Sequence, residues 1–351
     1  MRLPLLVALA ALALAGCGKA PEVPPVPPVP PSLGSRELRV FCRPESLPQT
    51  VIARFTKETG IAVFVENYAA KEEMLAGLLH GDPYDLVEAD EDAAGALAKD
   101  GLLHPIDRAR IPNFKNIAPT FLNRSFDPGN KFSVPFFASP VGIVFNAEQI
   151  PEGIRGFADV FVEKNRRAIV VLDDAREIVT LGFLAQGIPI NEATDENLKK
   201  AEALLACWLP LAKVSGSPEA ALAAGDAALG VVRGSEAAAL LDKDKKFRWV
   251  IPAEGAHLAI ASLVIPKSAD NVTNAEAFIG FLLRPEIGKE ASDARPSTNP
   301  NLAARKLLTP GQRANPASFP TDQEMARMQT FEDVGEQASK FDTVLTAIKG
   351  R

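Results

Sequence analysis

The sequence has few of the residues that define several protein classes. Only 3 of its 351 residues are cysteines, which excludes a scaffold held by disulfide bonds. Basic residues do not predominate: the net charge is −6, so a dedicated nucleic-acid-binding protein is not expected. It has only 2 Trp and 2 Tyr beside 19 Phe, and no apolar run after residue 16 is long enough to cross a bilayer. What is present is an ordinary globular composition, 47% hydrophobic and 23% charged, long enough for about two domains.

The first 16 residues have the pattern of an export signal. Arg2 precedes a short apolar run over residues 3–14, too short for a membrane-spanning helix. The segment ends in Leu-Ala-Gly-Cys at 14–17, which resembles the lipobox of bacterial lipoproteins, whose cysteine becomes the first mature residue and carries the lipid. We therefore expect a signal peptide at 1–16 and lipidation of Cys17, with the protein anchored by lipid alone on the periplasmic or cell-surface side. The alternative is an ordinary cleaved signal with an incidental cysteine.

Residues 17–35 are rich in proline and repeat a Pro-Pro-Val triplet. Proline fixes φ and removes backbone donors, so this segment is expected to be extended polyproline II. At about 3.1 Å per residue it would reach on the order of 50 Å. We interpret it as a linker between the lipid and a folded domain; a proline-rich docking ligand is the alternative.

Beyond residue 35 the hydrophobic pattern alternates between strands and helices. Strands are predicted at 36–41, 61–65, 84–87, 168–172, 227–232, 249–251 and 259–265. Helices are predicted at 70–80, 91–99, 174–186 and 274–283, and a first helix should open near Ser46, with Ser46 near the N-cap and Pro48 in the first turn. This alternation with short connections predicts an α/β fold with parallel strands.

Several segments in order resemble the spermidine/putrescine-binding proteins of bacterial ABC importers. They include PYDLV at 83–87, LDDAREIV at 172–179 and FIGFLLRPEIGKEAS at 278–292, and the match runs from residue 55 to the end. The resemblance implies a two-lobed periplasmic-binding-protein fold of type II, with a mixed, mostly parallel sheet in each lobe and a ligand cleft between the lobes. It implies lobe 1 at 36–140 plus 256–297, lobe 2 at 141–255 plus 298–351, and hinge segments at 137–143 and 251–262.

The resemblance also implies a ligand site, and here the chain departs from the family. Family members hold a polyamine between aromatic rings and carboxylates. Aromatic positions of the family are occupied here by Arg43, Ser46, Asp92, Arg233, Ala259 and Arg295, and a central acid is replaced by Ala261. The motif at 174–177, whose two acids face a ligand amine in the family, is intact. The ligand-binding residues expected from this comparison are Arg43, Glu45, Ser46, Asp90, Asp92, Ser139, Asp174, Glu177, Arg233 and Arg295.

Two interpretations of the three arginines remain open. As an uncompensated cluster, Arg43, Arg233 and Arg295 would repel a polyamine and bind a small anionic or zwitterionic solute, with any amine on Asp174 and Glu177. Alternatively, the arginines lie on the cleft rim and pair with Glu45, Asp90 and Asp92, filling the site with internal ion pairs. Asp174 and Glu177 could also be explained as the N-cap and acidic first turn of a helix.

Other chemistry is weakly supported. His80, His104 and His257 have no second ligand at metal spacing, so neither a metal nor a cofactor is expected. Cys42 and Cys207 are expected to be separate thiols, with Cys207 in a helix core. The acidic run EADED at 88–92 is most simply a solvated surface.

The sequence therefore predicts a binding protein rather than an enzyme. The resemblance implies a small-molecule ligand, which is a polyamine by family or an anionic or zwitterionic solute, and ABC permease subunits as partners. A monomer is expected. A sensor or scaffold lipoprotein that no longer serves transport is the alternative, and neighbouring permease and ATPase genes would distinguish the two. An extracytoplasmic enzyme on the same fold lacks an assembled nucleophile or metal set.

Overall fold

The computed structural model describes residues 35–350, so the signal peptide, Cys17 and the proline-rich segment through residue 34 lie outside the described residues. Within this range the strands are β1 (Glu37–Cys42), β2 (Ala62–Asn67), β3 (Leu86–Ala89), β4 (Ser133–Asn146), β5 (Ile169–Leu172), β6 (Ala212–Ser215), β7 (Leu229–Arg233), β8 (Phe247–Val250), β9 (Ala256–Val264) and β10 (Met328–Gln329). The helices are α1 (Gln49–Thr59), α2 (Lys71–His80), α3 (Glu91–Lys99), α4 (Phe157–Val160), α5 (Ala175–Ala185), α6 (Asp195–Trp208), α7 (Pro218–Ala224), α8 (Gly234–Lys243), α9 (Val272–Leu282), α10 (Pro285–Ala294), α11 (Leu302–Arg305), α12 (Pro310–Arg313), α13 (Asp322–Met325) and α14 (Ala338–Lys349).

The strands form a continuous sheet in the order β2-β1-β3-β9-β4-β7-β5-β6, with β10 beside β9 and β8 beside β4. Parallel pairing joins β1 to β2 and β3, and β5 to β6 and β7. The long strand β4 pairs antiparallel with β9 along its first half and with β7 and β8 along its second half. We call the part built on β1–β3 the first lobe and the part built on β5–β7 the second lobe. The two-lobed, mixed α/β fold is thus confirmed, while the residue boundaries of the lobes stay a prediction.

Each lobe has its own apolar core. In the first, α1 buries Val51, Ile52 and Phe55, as its apolar spacing predicts, and Phe55 meets Phe278 and Phe281 edge-on with ring centroids 4.7 and 5.2 Å apart. In the second, α5 is buried along almost its whole length and packs against α6 and α14. These cores fix the first turns of the helices that follow β3 and β5, and these turns carry many of the charged side chains described below.

Most predicted elements lie within a few residues of the observed ones, and two local expectations are wrong. The first helix begins at Gln49 with Pro48 as its N-cap residue rather than in its first turn, because a turn with Glu45 in the left-handed region (φ 65°) precedes it and places Ser46 two residues before the cap. Cys207 lies on α6 but is exposed, since the buried stripe of that helix is formed by Leu198, Ala201 and Leu205. Cys42 is buried, and both thiols are free. No helix between residues 35 and 350 has the length and apolarity needed to span a bilayer.

Candidate ligand-binding cleft

A cleft of about 950 Å³ lies where the carboxyl ends of parallel strands from both lobes meet. Arg43 directly follows β1, Asp90 follows β3, and Asp174 follows β5, while Arg233 is the last residue of β7. This volume suits a small solute. Of the predicted ligand-binding residues, eight line the cleft: Arg43, Asp90, Asp92, Ser139, Asp174, Glu177, Arg233 and Arg295.

The remaining two predicted residues do not line the cleft. Glu45 is an exposed residue of the turn after β1 and does not line the cavity. Ser46 is buried, and its Oγ accepts a hydrogen bond of 3.0 Å from the Arg295 guanidinium. Ser46 therefore positions a cleft arginine, whereas Glu45 lies outside the lining of the cleft.

Two of the three predicted arginines are held firmly by carboxylates of the first lobe. Arg43 makes a two-point ion pair with Asp90, at 2.7 and 2.6 Å. Burial would raise the pKa of Asp90, but this guanidinium lowers it below its ordinary value. Arg295 donates to the buried carboxylate of Glu88 at 3.2 Å and lies 4.8 Å from the centroid of the Phe137 ring.

The acidic run at 88–92 is not the solvated surface that its composition suggested. Asp92 accepts from Lys71 at 2.9 Å and from Arg176 at 3.0 Å, and the latter pair joins the start of α3 to the start of α5. Arg176 also lies 4.0 Å from the Phe331 ring centroid. Glu88 and Glu91 are buried and Asp90 and Asp92 are partly buried, because the run spans the end of β3 in the interior of the sheet, where cations from both lobes converge on it.

A histidine that lies between two acids, which we call the histidine cluster, connects the lobes at the base of the cleft. His257 on β9 has Nε2 2.6 Å from Glu91 Oε1 and Nδ1 2.8 Å from Glu177 Oε1. The backbone N–H of Ile260 donates to the second oxygen of Glu91 at 2.8 Å. All three side chains of the cluster are buried. It links the first turn of α3 to the first turn of α5 through β9, which pairs with β3 and with the first half of β4.

The charges of the histidine cluster depend on one another. Burial would lower the pKa of His257, but the carboxylates of Glu177 and Glu91 raise it to about 10, so the ring is an imidazolium at neutral pH. Burial opposes ionisation of Glu177, yet the imidazolium lowers the pKa of that carboxyl below its ordinary value. Burial raises the pKa of Glu91, aided by the neighbouring charges of Asp90 and Asp92. The cluster is therefore a charged, internally hydrogen-bonded bridge.

A second charged group, which we call the open corner, consists of Asp174, Arg233 and Glu236. The Asp174 carboxylate caps α5 by accepting from the Glu177 N–H at 3.1 Å, so the capping interpretation is confirmed, and Asp174 faces the cleft as well. Arg233 lies 3.5 Å from Asp174 and 3.7 Å from Glu236, long distances for ion pairs. Burial and the nearby Glu177 charge raise the pKa of Asp174.

Each of the three arginines thus has a carboxylate partner, and the expectation of an uncompensated cluster is wrong. The alternative of internal ion pairs holds for Arg43 with Asp90. Arg295 and Arg233 pair with acids outside the expected set: Arg295 with Glu88, which only folding brings within reach, and Arg233 with Asp174 and with Glu236 three residues further along the chain. Ser139 Oγ accepts from the Ser235 backbone N–H at 3.1 Å, which joins β4 to the start of α8.

Several residues of the cleft are not among the ligand-binding residues expected from the sequence, above all His257, Glu91 and Arg176. His257 could have been found from strand periodicity, because positions 257, 259 and 261 alternate onto one face of β9 and all three line the cleft. Between residues 35 and 350 no group of His, Cys, Asp and Glu side chains is arranged to hold a metal ion. Both ring nitrogens of His257 are used by carboxylates.

Comparison with known proteins gives the class of the molecule. The family described as bacterial extracellular solute-binding protein matches residues 50–324. The spermidine/putrescine-binding periplasmic protein of Salmonella typhimurium is 31% identical over 310 residues, covering 87% of this chain and 89% of that protein.

Solved structures agree. The substrate-binding protein PotD of the spermidine/putrescine ABC transporter of Streptococcus pneumoniae superposes with a TM-score of 0.83 at 30% identity, over 90% of this chain and 99% of that one. The Treponema pallidum lipoprotein TpPotD superposes with a TM-score of 0.78 at 25% identity, over 90% of this chain and 100% of that one. This chain belongs to the bacterial extracellular solute-binding proteins, and within them to the family of the spermidine/putrescine-binding proteins.

Proposed function

We propose that this protein is a lipid-anchored extracytoplasmic receptor that captures a small zwitterionic solute between its lobes and delivers it to an ABC permease. It acts as a binding protein rather than as an enzyme. The relatives support this role, since they are periplasmic binding proteins and one solved neighbour is the substrate-binding protein of an ABC transporter. The ligand class is argued from the cleft.

The open corner is the main support for a zwitterionic ligand, because it presents one acidic and one basic side chain that can each exchange its protein partner for a ligand group. The side chains of Asp174 and Arg233 are 39% and 38% exposed, and their mutual contact is long. Burial and the Glu177 charge raise the pKa of Asp174 more than Arg233 and His257 lower it, so a ligand ammonium would stabilise the ionised carboxylate. A ligand carboxylate would bind the Arg233 guanidinium through two hydrogen bonds.

Solutes of a single charge sign fit the cleft less well. A polyamine needs free carboxylates and free aromatic faces, but Asp90, Asp92 and Glu88 already pair with protein cations and the Phe137 ring lies against Arg295. A dianion would face an excess of acids. The lining contains nine carboxylates against five Lys and Arg side chains and one histidine. A zwitterion adds no net charge to this balance.

Isothermal titration calorimetry tests the ligand class directly. The panel comprises α-, β- and γ-amino acids, dicarboxylates, putrescine and spermidine, each titrated into the folded chain lacking the signal. We expect a zwitterion to bind, Arg233→Gln to weaken that binding at least about tenfold through loss of a charge-assisted contact, and Glu45→Gln to leave it unchanged. Submicromolar binding of spermidine or putrescine would refute the proposal.

Membrane anchoring is a separate part of the proposal and rests on the Leu-Ala-Gly-Cys segment at 14–17. One of the solved neighbours is itself described as a lipoprotein. Cys17→Ala should release the protein from membranes into the soluble fraction, and mass spectrometry of the wild-type amino terminus should detect acyl chains on Cys17. An unmodified amino terminus beginning at another residue would favour an ordinary cleaved signal.

Delivery to a permease is tested by reconstitution. Permease and ATPase subunits encoded beside this protein, placed in proteoliposomes, should hydrolyse ATP faster when the ligand-loaded receptor is added. No stimulation by a receptor that demonstrably binds its ligand would favour a sensor or scaffold.

A further inference from the structure

The surroundings of His257 are those of an ammonium-binding site. The Phe331 ring stacks on the imidazole with centroids 3.6 Å apart and planes inclined by 19°, while carboxylate oxygens of Glu91 and Glu177 approach the two ring nitrogens. An aromatic face combined with carboxylates is the arrangement by which proteins bind organic cations. In this protein the cation inside the cage is one of its own side chains.

One atom of the cage remains unsatisfied. Glu177 Oε2 is buried and accepts no hydrogen bond from any residue between 35 and 350, although Glu177 lines the cleft. An imidazolium has one N–H for each carboxylate, whereas an ammonium group has three donors and could satisfy this oxygen as well. The cage is thus better matched to an ammonium ion than to the ring that occupies it.

We propose that His257 is a specificity-determining residue whose side chain occupies an ammonium position between Glu91 and Glu177 and so excludes a second ligand ammonium from the cleft. This inference rests on the proposed function, in which the ligand has one ammonium group that binds at the open corner. The cleft then accepts solutes with a single amine and rejects diamines and longer polyamines.

Two further observations support this inference. The pKa of His257 is raised to about 10 by the two carboxylates, so the ring keeps its positive charge at neutral pH and repels another cation. Arg295 repeats the pattern elsewhere in the cleft, with its guanidinium on the Phe137 ring and against the buried Glu88 carboxylate. Internal cations thus occupy separate aromatic and acidic cages of the same cleft.

The test removes the His257 ring from the cage and supplies a small organic cation in its place. In His257→Ala, methylammonium and putrescine should each raise the thermal unfolding temperature by several degrees relative to sodium chloride at equal ionic strength. The wild type should not respond. By calorimetry, putrescine should bind the variant at least about tenfold more tightly than the wild type, as expected when an ammonium gains two carboxylates and a ring. A matched control, His257→Ala combined with Glu91→Gln and Glu177→Gln, should respond to neither cation.

A second variant keeps the inference testable if His257→Ala folds poorly. His257→Gln fills part of the cage and keeps a hydrogen-bond donor without the charge, and it should also gain putrescine affinity. If His257→Ala folds only during refolding with methylammonium, that result supports the inference. Folded variants that respond to neither cation, or a wild type that binds putrescine as tightly as His257→Ala, would overturn it. Because these readouts need no zwitterion, failure of the wild type to bind any amino acid would count only against the proposed function.

Discussion

The histidine cluster and the open corner are charged groups of the same cleft that are built in opposite ways. The His257 side chain is 3% exposed, and its contacts with Glu91 and Glu177 are 2.6 and 2.8 Å long. Asp174 and Arg233 are more than one third exposed and lie 3.5 Å apart. Both regions involve the first turn of α5, so the contrast comes from what packs against each side chain rather than from its local sequence.

This contrast separates charges that hold the fold from charges that can recognise a ligand. A buried ion pair cannot exchange partners cheaply, because the abandoned charge would be left without solvent or counter-charge. An exposed pair contributes little to stability and can exchange its partner for a ligand group. The histidine cluster should therefore govern stability, and the open corner should govern affinity.

The largest effect is expected on removing the imidazolium. His257→Leu leaves Glu91 and Glu177 buried without their shared counter-charge, which should lower the free energy of unfolding by about 3–5 kcal/mol. Urea denaturation followed by circular dichroism measures this. His80→Leu, at the exposed end of α2, is the matched control and should change stability by less than about 0.5 kcal/mol. Equal effects of the two substitutions would remove the distinction between the two regions.

Alkaline pH should weaken the same cluster without mutation. The folded pKa of His257 is about 10 against an ordinary value of 6.5, so between these values unfolding releases a proton. The protonated ring contributes its full stabilisation below pH 6.5. This stabilisation is lost as the pH rises through 10, at on the order of 1 kcal/mol per pH unit. Titratable neighbours of the ring include Glu91, Glu177, Asp90 and Asp174. The stability advantage of the wild type over His257→Leu, measured at pH 7, 8 and 9, should shrink; a constant advantage would contradict a protonated ring.

A smaller effect is expected at Arg295, which is buried only in part. Arg295→Leu removes the guanidinium from Glu88, whose carboxylate keeps a 3.3 Å hydrogen bond from the Arg43 N–H. We expect a loss of about 1–3 kcal/mol in urea denaturation. Arg54→Leu, which removes an exposed i,i+4 pair with Glu58, is the control and should be nearly neutral. If Arg295→Leu leaves the free energy of unfolding unchanged, the Arg295–Glu88 pair behaves like the open corner and not like the histidine cluster.

The smallest effect on stability is expected at the open corner, where affinity should respond instead. Asp174→Asn keeps the side-chain oxygen that caps α5, since Asn caps helices as well as Asp. Because the pKa of Asp174 is raised, its charge destabilises the folded state at neutral pH, and the variant should be as stable as the wild type or slightly more so. Its affinity for the zwitterionic ligand should fall about tenfold. A loss of stability with unchanged affinity would reverse the assignment of the two regions.

The sequence alone was sufficient for much of the scaffold. The α1 stripe of Val51, Ile52 and Phe55, the helix at 91–99 and the strand–helix alternation are local patterns, and they appear as predicted. The strand position after which Asp90 and Asp174 project was also predictable, because the carboxyl ends of parallel strands converge. The acids at 88–92 were misjudged as surface, since composition does not reveal that β3 lies in the middle of the sheet.

The sequence by itself determined the order of the elements, the family and the replacement of the aromatic residues at the family's ligand-binding positions. Only the tertiary structure decided which of the buried charges are neutralised, because their pairings join residues far apart in the chain. His257 and Glu91 are 166 positions apart, and Arg295 and Glu88 are 207 apart. Hydrophobic periodicity acts over a few residues and is readable from the chain, whereas the partner and the burial of a charge depend on how the lobes and their shared strands pack.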